Sequence, residues 1–201
     1  MSRWTRIPVS LCLRGARDYV QGADIYAAVV SAMQRHAGAM PEGSLQLRMH
    51  ELARSQGSIL IAPSGTELPV PPAGRAEFRS RDWQGWLVET GAPILERQPY
   101  DESVIESRCL RNGPIMRVIE NTPCSTIETM ISACKQLHQG LHPLPGHKWI
   151  VTRLDLARVI DWPDGGMEIE LLQNLGNRLT RSAVRSEGAV VGHIYFSAIR
   201  A

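Results

Sequence analysis

The sequence has no hydrophobic run long enough to span a membrane and almost no surplus of charge. Its 201 residues include 22 Lys and Arg against 20 Asp and Glu, which leaves a net charge of +2. That charge is too small for the electrostatic footprint that phosphate-backbone binding requires. No window approaches the roughly 20 apolar residues of a membrane span, and no signal-peptide pattern stands at the start. We therefore expect a cytoplasmic protein whose partners include neither nucleic acid nor a membrane.

Several chemical signatures are also missing. The sequence contains no glycine-rich phosphate loop, no GxSxG nucleophile motif and no HExxH zinc motif. Its few cysteines form no CxxC pair and have no histidine at zinc-site spacing, which favours buried free thiols. They are Cys12, Cys109, Cys124 and Cys134. We expect no metal and no cofactor.

Three histidines follow one another in the pattern HxxxHxxxxH, at His138, His142 and His147. Three imidazoles are a common set of zinc ligands. Prolines and a glycine lie between these histidines, however, so no helix can present all three on one face. We therefore interpret the segment as a solvated loop. The sequence also places His36 and His138 at the ends of predicted helices, where they would be partners of the helix dipole.

The composition and the apolar periodicity of the sequence indicate a globular chain of strands and helices. Hydrophobic residues make up 43% of the sequence, enough to bury a substantial core. The alternation of side chains between two faces predicts a strand over 6–14. Apolar residues at helical spacing predict a helix over 25–35. Asp24 stands where an N-cap is expected, and Gly38 where a left-handed C-terminal residue is expected, with Pro41 beyond it.

Further strands are predicted in the rest of the first half. They cover 45–54, 58–62 and 77–90, the last as a hairpin or a bulged strand with Gly85 at the irregularity. Segment 63–76 is rich in proline and glycine and is predicted to be a loop. In the second half, strands are predicted over 108–119, 148–159, 167–172, 177–185 and 189–198, with a helix over 127–137 and a tight turn at 162–166.

Two similar segments of the sequence indicate a repeated unit. Segment Cys109–His138 matches Cys12–His36, since both begin Cys-Leu-Arg, soon reach a glycine and run into a helical pattern that ends in His-x-Gly. Further short matches follow in the same order. The difference in residue number between the two matched positions grows slowly along the chain. Steady growth is expected of a duplicated fold with small insertions, whereas chance matches would scatter.

The predicted unit of a strand, a long helix and a meander of strands resembles the hot-dog fold. Residues 171–199, LLQNLGNRLTRSAVRSEGAVVGHIYFSAI, are similar to the last strands of the 3-hydroxyacyl-carrier-protein dehydratases. Ser125–Met130 resembles an Ile-Glu-Ala-Met segment of their central helix. The resemblance implies an α+β double hot-dog, two repeated units of a long central helix wrapped by an antiparallel β-sheet. Its units would be 1–90 and 108–201, with 91–107 as connector.

The resemblance also implies where a site would lie. In the family the site combines a residue ahead of one helix with a carboxylate on the other helix, and Glu128 falls on the carboxylate position. The family's His-xxx-Gly motif corresponds to 18–22, where Asp18 replaces the histidine. Asp18 and Glu128 are thus the two candidate catalytic residues for acid/base chemistry on an acyl-CoA or acyl-carrier-protein thioester. The candidate substrate-binding residues around them are Tyr19, Gln21, Gly22, Asp24 and Tyr26.

Purely structural roles would also explain why these residues occur at these positions, without any catalytic function. Asp18 and Asp24 ahead of a helix are common turn and cap residues, and Glu128 in a first turn complements the helix dipole. Two functions therefore remain open: a thioesterase or a dehydratase/hydratase, or a non-catalytic hot-dog module that binds an acyl chain or a partner protein. A third alternative is an unrelated α+β protein whose repeat is accidental. The oligomeric state, including a homo-oligomer, also stays open.

Overall fold

The computed structural model describes residues 4–39, 42–67, 71, 73–159 and 166–200. The chain divides into two compact units, Met1–Tyr100 and Asp101–Ala201. Each unit contains mostly antiparallel strands and one helix of 16 residues. The tight turn that the sequence predicts at 162–166 lies almost entirely outside the described residues.

The first unit contains a five-stranded antiparallel sheet with the order β1-β4-β6-β5-β3. Its last long strand, β6, lies in the interior and pairs with β4 on one side and β5 on the other. Two short strands, β2 and β7, form a separate parallel pair. The elements are β1 (Thr5–Val9), β2 (Leu13–Arg14), α1 (Gly22–Ala37), β3 (Leu45–Met49), β4 (Ser55–Pro63), β5 (Gly74–Ser80), β6 (Trp83–Pro93) and β7 (Arg97–Gln98).

Helix α1 forms where the apolar spacing predicts a helix, but its start differs from the prediction. Gln21, in extended conformation, is the N-cap, so the prediction that Asp24 caps the helix is wrong. Gly38 confirms its predicted role, because its φ of 74° lies in the left-handed region and its N–H donates to the Gln34 carbonyl. The buried side chains of α1 are Ala23, Ile25, Tyr26, Val29, Val30, Ala32 and Met33.

Strands β5 and β6 form the predicted hairpin, but Gly85 is not at an irregularity. Gly85 pairs in regular register with Ile61 on one side and Phe78 on the other. A Cβ at this position would collide with the Leu60 carbonyl oxygen and would lie 2.6 Å from the Phe78 ring. Gly85 is therefore required by the close approach of its neighbours rather than by a bulge.

The second unit contains a six-stranded antiparallel sheet with the order β8-β9-β11-β12-β13-β10. Strands β11, β12 and β13 form the meander that the sequence predicts. The elements are α2 (Ser103–Glu106), β8 (Cys109–Asn112), β9 (Ile115–Val118), α3 (Thr126–Leu141), β10 (His147–Leu156), β11 (Met167–Leu175), β12 (Leu179–Ser186) and β13 (Ala189–Arg200).

Helix α3 packs its buried face on the strands of its own unit. Ser125, in extended conformation, is the N-cap, and its Oγ accepts the Glu128 backbone N–H at 3.3 Å. Along the helix, Met130, Ala133 and Leu137 are fully buried. The helix ends with a C-cap at His142, beyond the end of the predicted segment 127–137.

The two units share part of their element order but differ in strand order. In both, the 16-residue helix is followed by four strands, β3–β6 in the first unit and β10–β13 in the second. In the first sheet the last strand lies between β4 and β5, whereas in the second it lies between β12 and β10. A fold used twice is expected to give one strand order, so the repeat stays a prediction.

Candidate functional site

Asp18 lies in the segment between β2 and α1. Its side chain is 71% exposed, and its Oδ2 atom lies 3.3 Å from the Nε atom of Arg54. Nearby, the Val20 N–H donates to the Ala53 carbonyl at 2.8 Å, which ties this segment to the chain just ahead of β4. Asp18 is therefore a water-accessible carboxylate beside a guanidinium.

Glu89 fixes the backbone from which Arg54 extends. Its Oε1 atom accepts the N–H groups of Arg54 at 2.5 Å and Ser55 at 2.8 Å, and its Oε2 atom accepts from Arg75 Nε at 2.5 Å. Burial alone would raise the pKa of Glu89, but the hydrogen bonds from Arg54, Arg75 and Ser55 outweigh burial and lower it. Glu89 thus stays an anion that anchors the Arg54 end of the ion pair.

Asp24, a predicted substrate-binding residue, holds β2 against α1. Its two carboxylate oxygens both lie 3.0 Å from Arg14 Nε, and Oδ1 lies 2.7 Å from Arg14 Nη2. The Tyr100 ring lies 5.9 Å from the Arg14 guanidinium and 4.7 Å from that of Arg17. This arrangement explains Asp24 as a structural ion pair in the first turn of the helix.

The remaining predicted residues of the first unit surround the start of α1. Tyr19 and Gln21 are half-buried, Gly22 is the first helical residue, and Tyr26 is buried. The Nε2 atom of Gln21 is buried without a hydrogen-bond partner in the described part of the chain. The Gln21 side chain does not cap α1 either, so it satisfies none of the first N–H groups of the helix.

Glu128 lies in the first turn of α3, in the second unit, and is only 5% exposed. The next residue, Thr129, is fully buried, and its hydroxyl oxygen lies 2.5 Å from that of Thr122. Glutamate is rarely this buried, and a carboxylate held away from water is a common feature of functional sites. Whether Glu128 and Asp18 share one site stays a prediction.

A buried polar cluster around His138 is absent from the sequence-based predictions. The His138 ring lies 3.0 Å from the Ser182 hydroxyl, 3.2 Å from the Thr180 hydroxyl and 3.7 Å from the Cys134 thiol. Burial and the nearby His142 lower the pKa of His138 to about 4. His138 is therefore neutral at pH 7, and its predicted role as a charged partner of the helix dipole is wrong.

The other residues of the histidine pattern lie in separate elements. His138 is in helix α3, His142 is its C-cap, and His147 begins β10 with its Nδ1 atom 3.0 Å from the Pro145 carbonyl oxygen. The solvated-loop interpretation is therefore wrong for His138. In the described segments, no group of three or more His, Cys, Asp or Glu side chains is arranged to hold a metal ion.

All four cysteines are free thiols, as predicted, but only Cys134 is buried. Burial raises the pKa of the Cys134 thiol to about 12, and burial together with Glu106 raises that of Cys109 to about 11. Neither group is a thiolate at neutral pH, so neither has the character of an activated nucleophile.

Comparison with known proteins identifies the fold. No protein-family model and no curated protein matches the chain. Among solved structures, the dehydratase domain of the polyketide PpsC from Mycobacterium tuberculosis matches with a TM-score of 0.52 and 9% identity, covering 98% of this chain and 93% of that one. The same domain in complex with C12:1-CoA matches with a TM-score of 0.50 and 11% identity, at the same coverage.

A thioesterase matches over a similar length. The 12:0-ACP thioesterase from Umbellularia californica has a TM-score of 0.50 and 9% identity, and the match covers 100% of this chain and 99% of that one. The fold is therefore the hot-dog fold found in thioesterases and dehydratase domains, which confirms the predicted resemblance to that fold. At such identities the likeness concerns the fold and not the substrate.

Proposed function

We propose that the chain is an enzyme acting on acyl thioesters of coenzyme A or an acyl carrier protein, as a thioesterase or a dehydratase/hydratase. The shared fold with a dehydratase domain and an acyl-ACP thioesterase supports the class of substrate. The observation that carries the proposal is Glu128, a carboxylate 5% exposed in the first turn of α3. The resemblance of Ser125–Met130 to the dehydratases implies that Glu128 is the helix carboxylate.

We further propose one composite site between the hot-dog units 1–90 and 108–201, each a sheet wrapped around its helix, with 91–107 connecting them. Asp18 is the candidate base and Glu128 the candidate acid. Support for Asp18 comes from its accessibility to water and from the ion pair with Arg54, which holds the carboxylate at the surface. The substrate-binding candidates are Tyr19, Gln21, Gly22, Asp24 and Tyr26.

In the hydrolytic version, ionised Asp18 takes a proton from a water molecule as the water oxygen attacks the thioester carbonyl carbon. The carbonyl oxygen then carries the negative charge, and the uncapped N–H groups at the start of α1 would stabilise it. When the tetrahedral intermediate collapses, the carbon–sulfur bond breaks and the sulfur takes a proton from an acidic group, for which Glu128 is the candidate. The products are a free carboxylic acid and the thiol of the carrier.

Conservative substitutions of the two carboxylates test the proposal. We expect Asp18→Asn and Glu128→Gln each to lower turnover of a panel of acyl-CoA and acyl-carrier-protein thioesters by roughly 10²-fold or more, the usual contribution of a general acid or base. Asp82→Asn, at an exposed position of the same unit as Asp18, is the matched control. Equal turnover by wild type and Asp18→Asn would remove Asp18 from the mechanism.

A non-catalytic hot-dog module that binds an acyl chain or a partner protein is the second candidate. It is favoured by the replacement of the family's histidine by Asp18, which is already in an ion pair with Arg54. This alternative predicts binding of long-chain acyl-CoA without turnover, measured by calorimetry, and unchanged affinity in Glu128→Gln. Turnover that depends on Glu128 would exclude it.

A further inference from the structure

The hairpin formed by β11 and β12 exposes leucines at its tip. Leu172, Leu175 and Leu179 are 45%, 55% and 51% exposed, whereas a large aliphatic side chain on a sheet is usually covered. Leu175 and Leu179 are register partners on either side of the turn 176–178. The tip therefore presents adjoining apolar side chains to solvent.

The orientation of Leu175 and Leu179 follows from the opposite face of β12. Thr180 and Ser182 contact His138 of helix α3, so they lie on the helix side of the sheet. Because side chains alternate along a strand, Leu179 and Arg181 point to the other side. Leu175 shares that outer face as the register partner of Leu179.

The tip also projects beyond part of the sheet. Pairing between β11 and β9 ends at Glu170, and Leu171 makes one further hydrogen bond, from its N–H to the Pro114 carbonyl. Beyond that point, β11 has a strand partner only in β12 within the described part of the chain. On its β9 side the end of the hairpin is thus an open sheet edge, whereas β12 stays paired with β13 as far as Leu179.

Two arginines at the tip lack acidic partners. Among the described residues, no carboxylate lies within ion-pair distance of Arg178 or Arg181. The Arg181 side chain makes one hydrogen bond, to His193. By contrast, Arg117 and Arg185 on the same sheet pair with Glu168 and Glu170. The leucine-rich tip is therefore flanked by uncompensated positive charge.

We propose that this leucine–arginine tip, formed by Leu172, Leu175, Arg178, Leu179 and Arg181, binds the surface of an anionic lipid membrane. Leucines that enter the boundary between headgroups and acyl chains lose their contact with water, and nearby arginines pair with lipid phosphates. No membrane-spanning segment is needed, and no helix in the described ranges is long and apolar enough to cross a bilayer. The sequence-based expectation of no membrane partner considered spanning segments and signal peptides, which a surface hairpin does not require.

A lipid surface suits this tip better than a protein partner does. A stable protein interface buries roughly 800 Å² on each partner, well beyond what a few half-exposed leucines provide. A bilayer surface does not need such an area, because lipids rearrange around an inserted side chain. The proposal does not depend on the thioester chemistry.

Vesicle flotation with the full chain tests the proposal. We expect the wild type to float with mixed phosphatidylcholine–phosphatidylglycerol vesicles, to bind phosphatidylcholine alone more weakly, and to lose binding to the mixed vesicles at high salt. The Leu175→Ser/Leu179→Ser double variant should bind roughly tenfold more weakly because two apolar anchors are lost. Arg178→Gln should bind roughly fivefold more weakly, as expected for one basic side chain at an anionic surface.

Matched controls lie on the same sheet, away from the tip. Leu110→Ser removes a leucine that is 59% exposed, and Arg117→Gln removes the same charge as Arg178→Gln from an arginine that is paired with Glu168. Both should bind like the wild type. The proposal is overturned if the wild type does not float with the mixed vesicles, or if the controls lose as much binding as the tip variants. It is also overturned if sedimentation velocity shows that the tip leucines instead mediate self-association.

Discussion

His138 occupies a position where a positive charge would be costly. The residue is fully buried, and its ring lies 5.4 Å from that of Trp149 and 5.1 Å from that of Phe196. The nearest ionisable groups are Cys134, which burial keeps as a thiol, and His142, whose proximity further disfavours an imidazolium. The neutral imidazole joins α3 to β12 through the hydroxyls of Thr180 and Ser182.

This environment makes stability depend on pH in a defined direction. The pKa of His138 is about 4 in the folded chain and 6.5 for an unperturbed histidine, so between these values the unfolded chain binds the extra proton. The free energy of unfolding should therefore fall as the pH drops from about 6.5 towards 4, by roughly 3 kcal/mol over the full window. Urea denaturation at a series of pH values should show that the free energy of unfolding depends less steeply on pH in His138→Gln than in the wild type. An unchanged slope would mean that other groups control acid stability.

At the level of single elements, the close packing of β6 against its neighbours is tested at Gly85. We expect Gly85→Ala to lower the free energy of unfolding by roughly 3 kcal/mol, because the new methyl group meets the Leu60 backbone and the Phe78 ring. Gly140→Ala is the control, since its Cβ meets only the flexible end of the Arg111 side chain and alanine favours the helix. Thermal and urea denaturation would measure both. A neutral effect of Gly85→Ala would show that the strands can separate at little cost.

The elements also show which parts of the fold a sequence can reveal. The apolar spacing of α1 and the alternation along β10 arise from local periodicity, so the sequence predicts them well. The cap of α1 differs from the prediction because Asp24 has a better partner in Arg14, a contact made across ten positions of chain. The role of Gly85 is not visible in the sequence because it depends on strands that pair from elsewhere in the sheet. Strand order depends on tertiary pairing and leaves no periodic signal.

On the scale of the whole molecule, buried polar side chains are unevenly divided. In the described part of the first unit, only Ser58 is both polar and buried, while the second unit holds the rest. Each such group must recover in hydrogen bonds what it loses in hydration. The second unit therefore depends more on a polar network. The buried polar residues there are Glu128, Thr129, Ser132, His138, Thr180 and Ser182.

We expect acid to open the second unit first. Hydrogen exchange, corrected for the intrinsic effect of pH, should show that protection in β12 falls as the pH decreases through the window set by His138. Protection in β4 and β6 should change less, because no buried histidine lies against them in the described residues. In His138→Gln the difference between the units should shrink. Equal loss of protection in both units of the wild type would contradict this expectation.

The candidate site is only partly accessible from the sequence. The resemblance of Ser125–Met130 to the helix of the dehydratases is enough to single out Glu128, which proves to be buried. The ion pairs of Asp18 with Arg54 and of Asp24 with Arg14 join residues that no spacing rule connects. The cluster around His138 is likewise formed by side chains from a helix and a distant strand. Such contacts follow from packing, and single-sequence periodicity carries no information about them.

In each unit the last strand of the main sheet, β6 or β13, lies in the interior of that sheet, and this position has a consequence for folding. Before β6 is available, the first unit has two separate pieces, β1-β4 and β3-β5, and before β13 is available, β12 and β10 have no connection within the second sheet. A chain that stops before Trp83 or Ala189 therefore leaves open edges that can pair with other chains. Each unit becomes a continuous sheet, with these interior edges covered, only when its final strand is inserted. Until that strand is inserted, both units therefore have edges that are exposed to misassembly during synthesis.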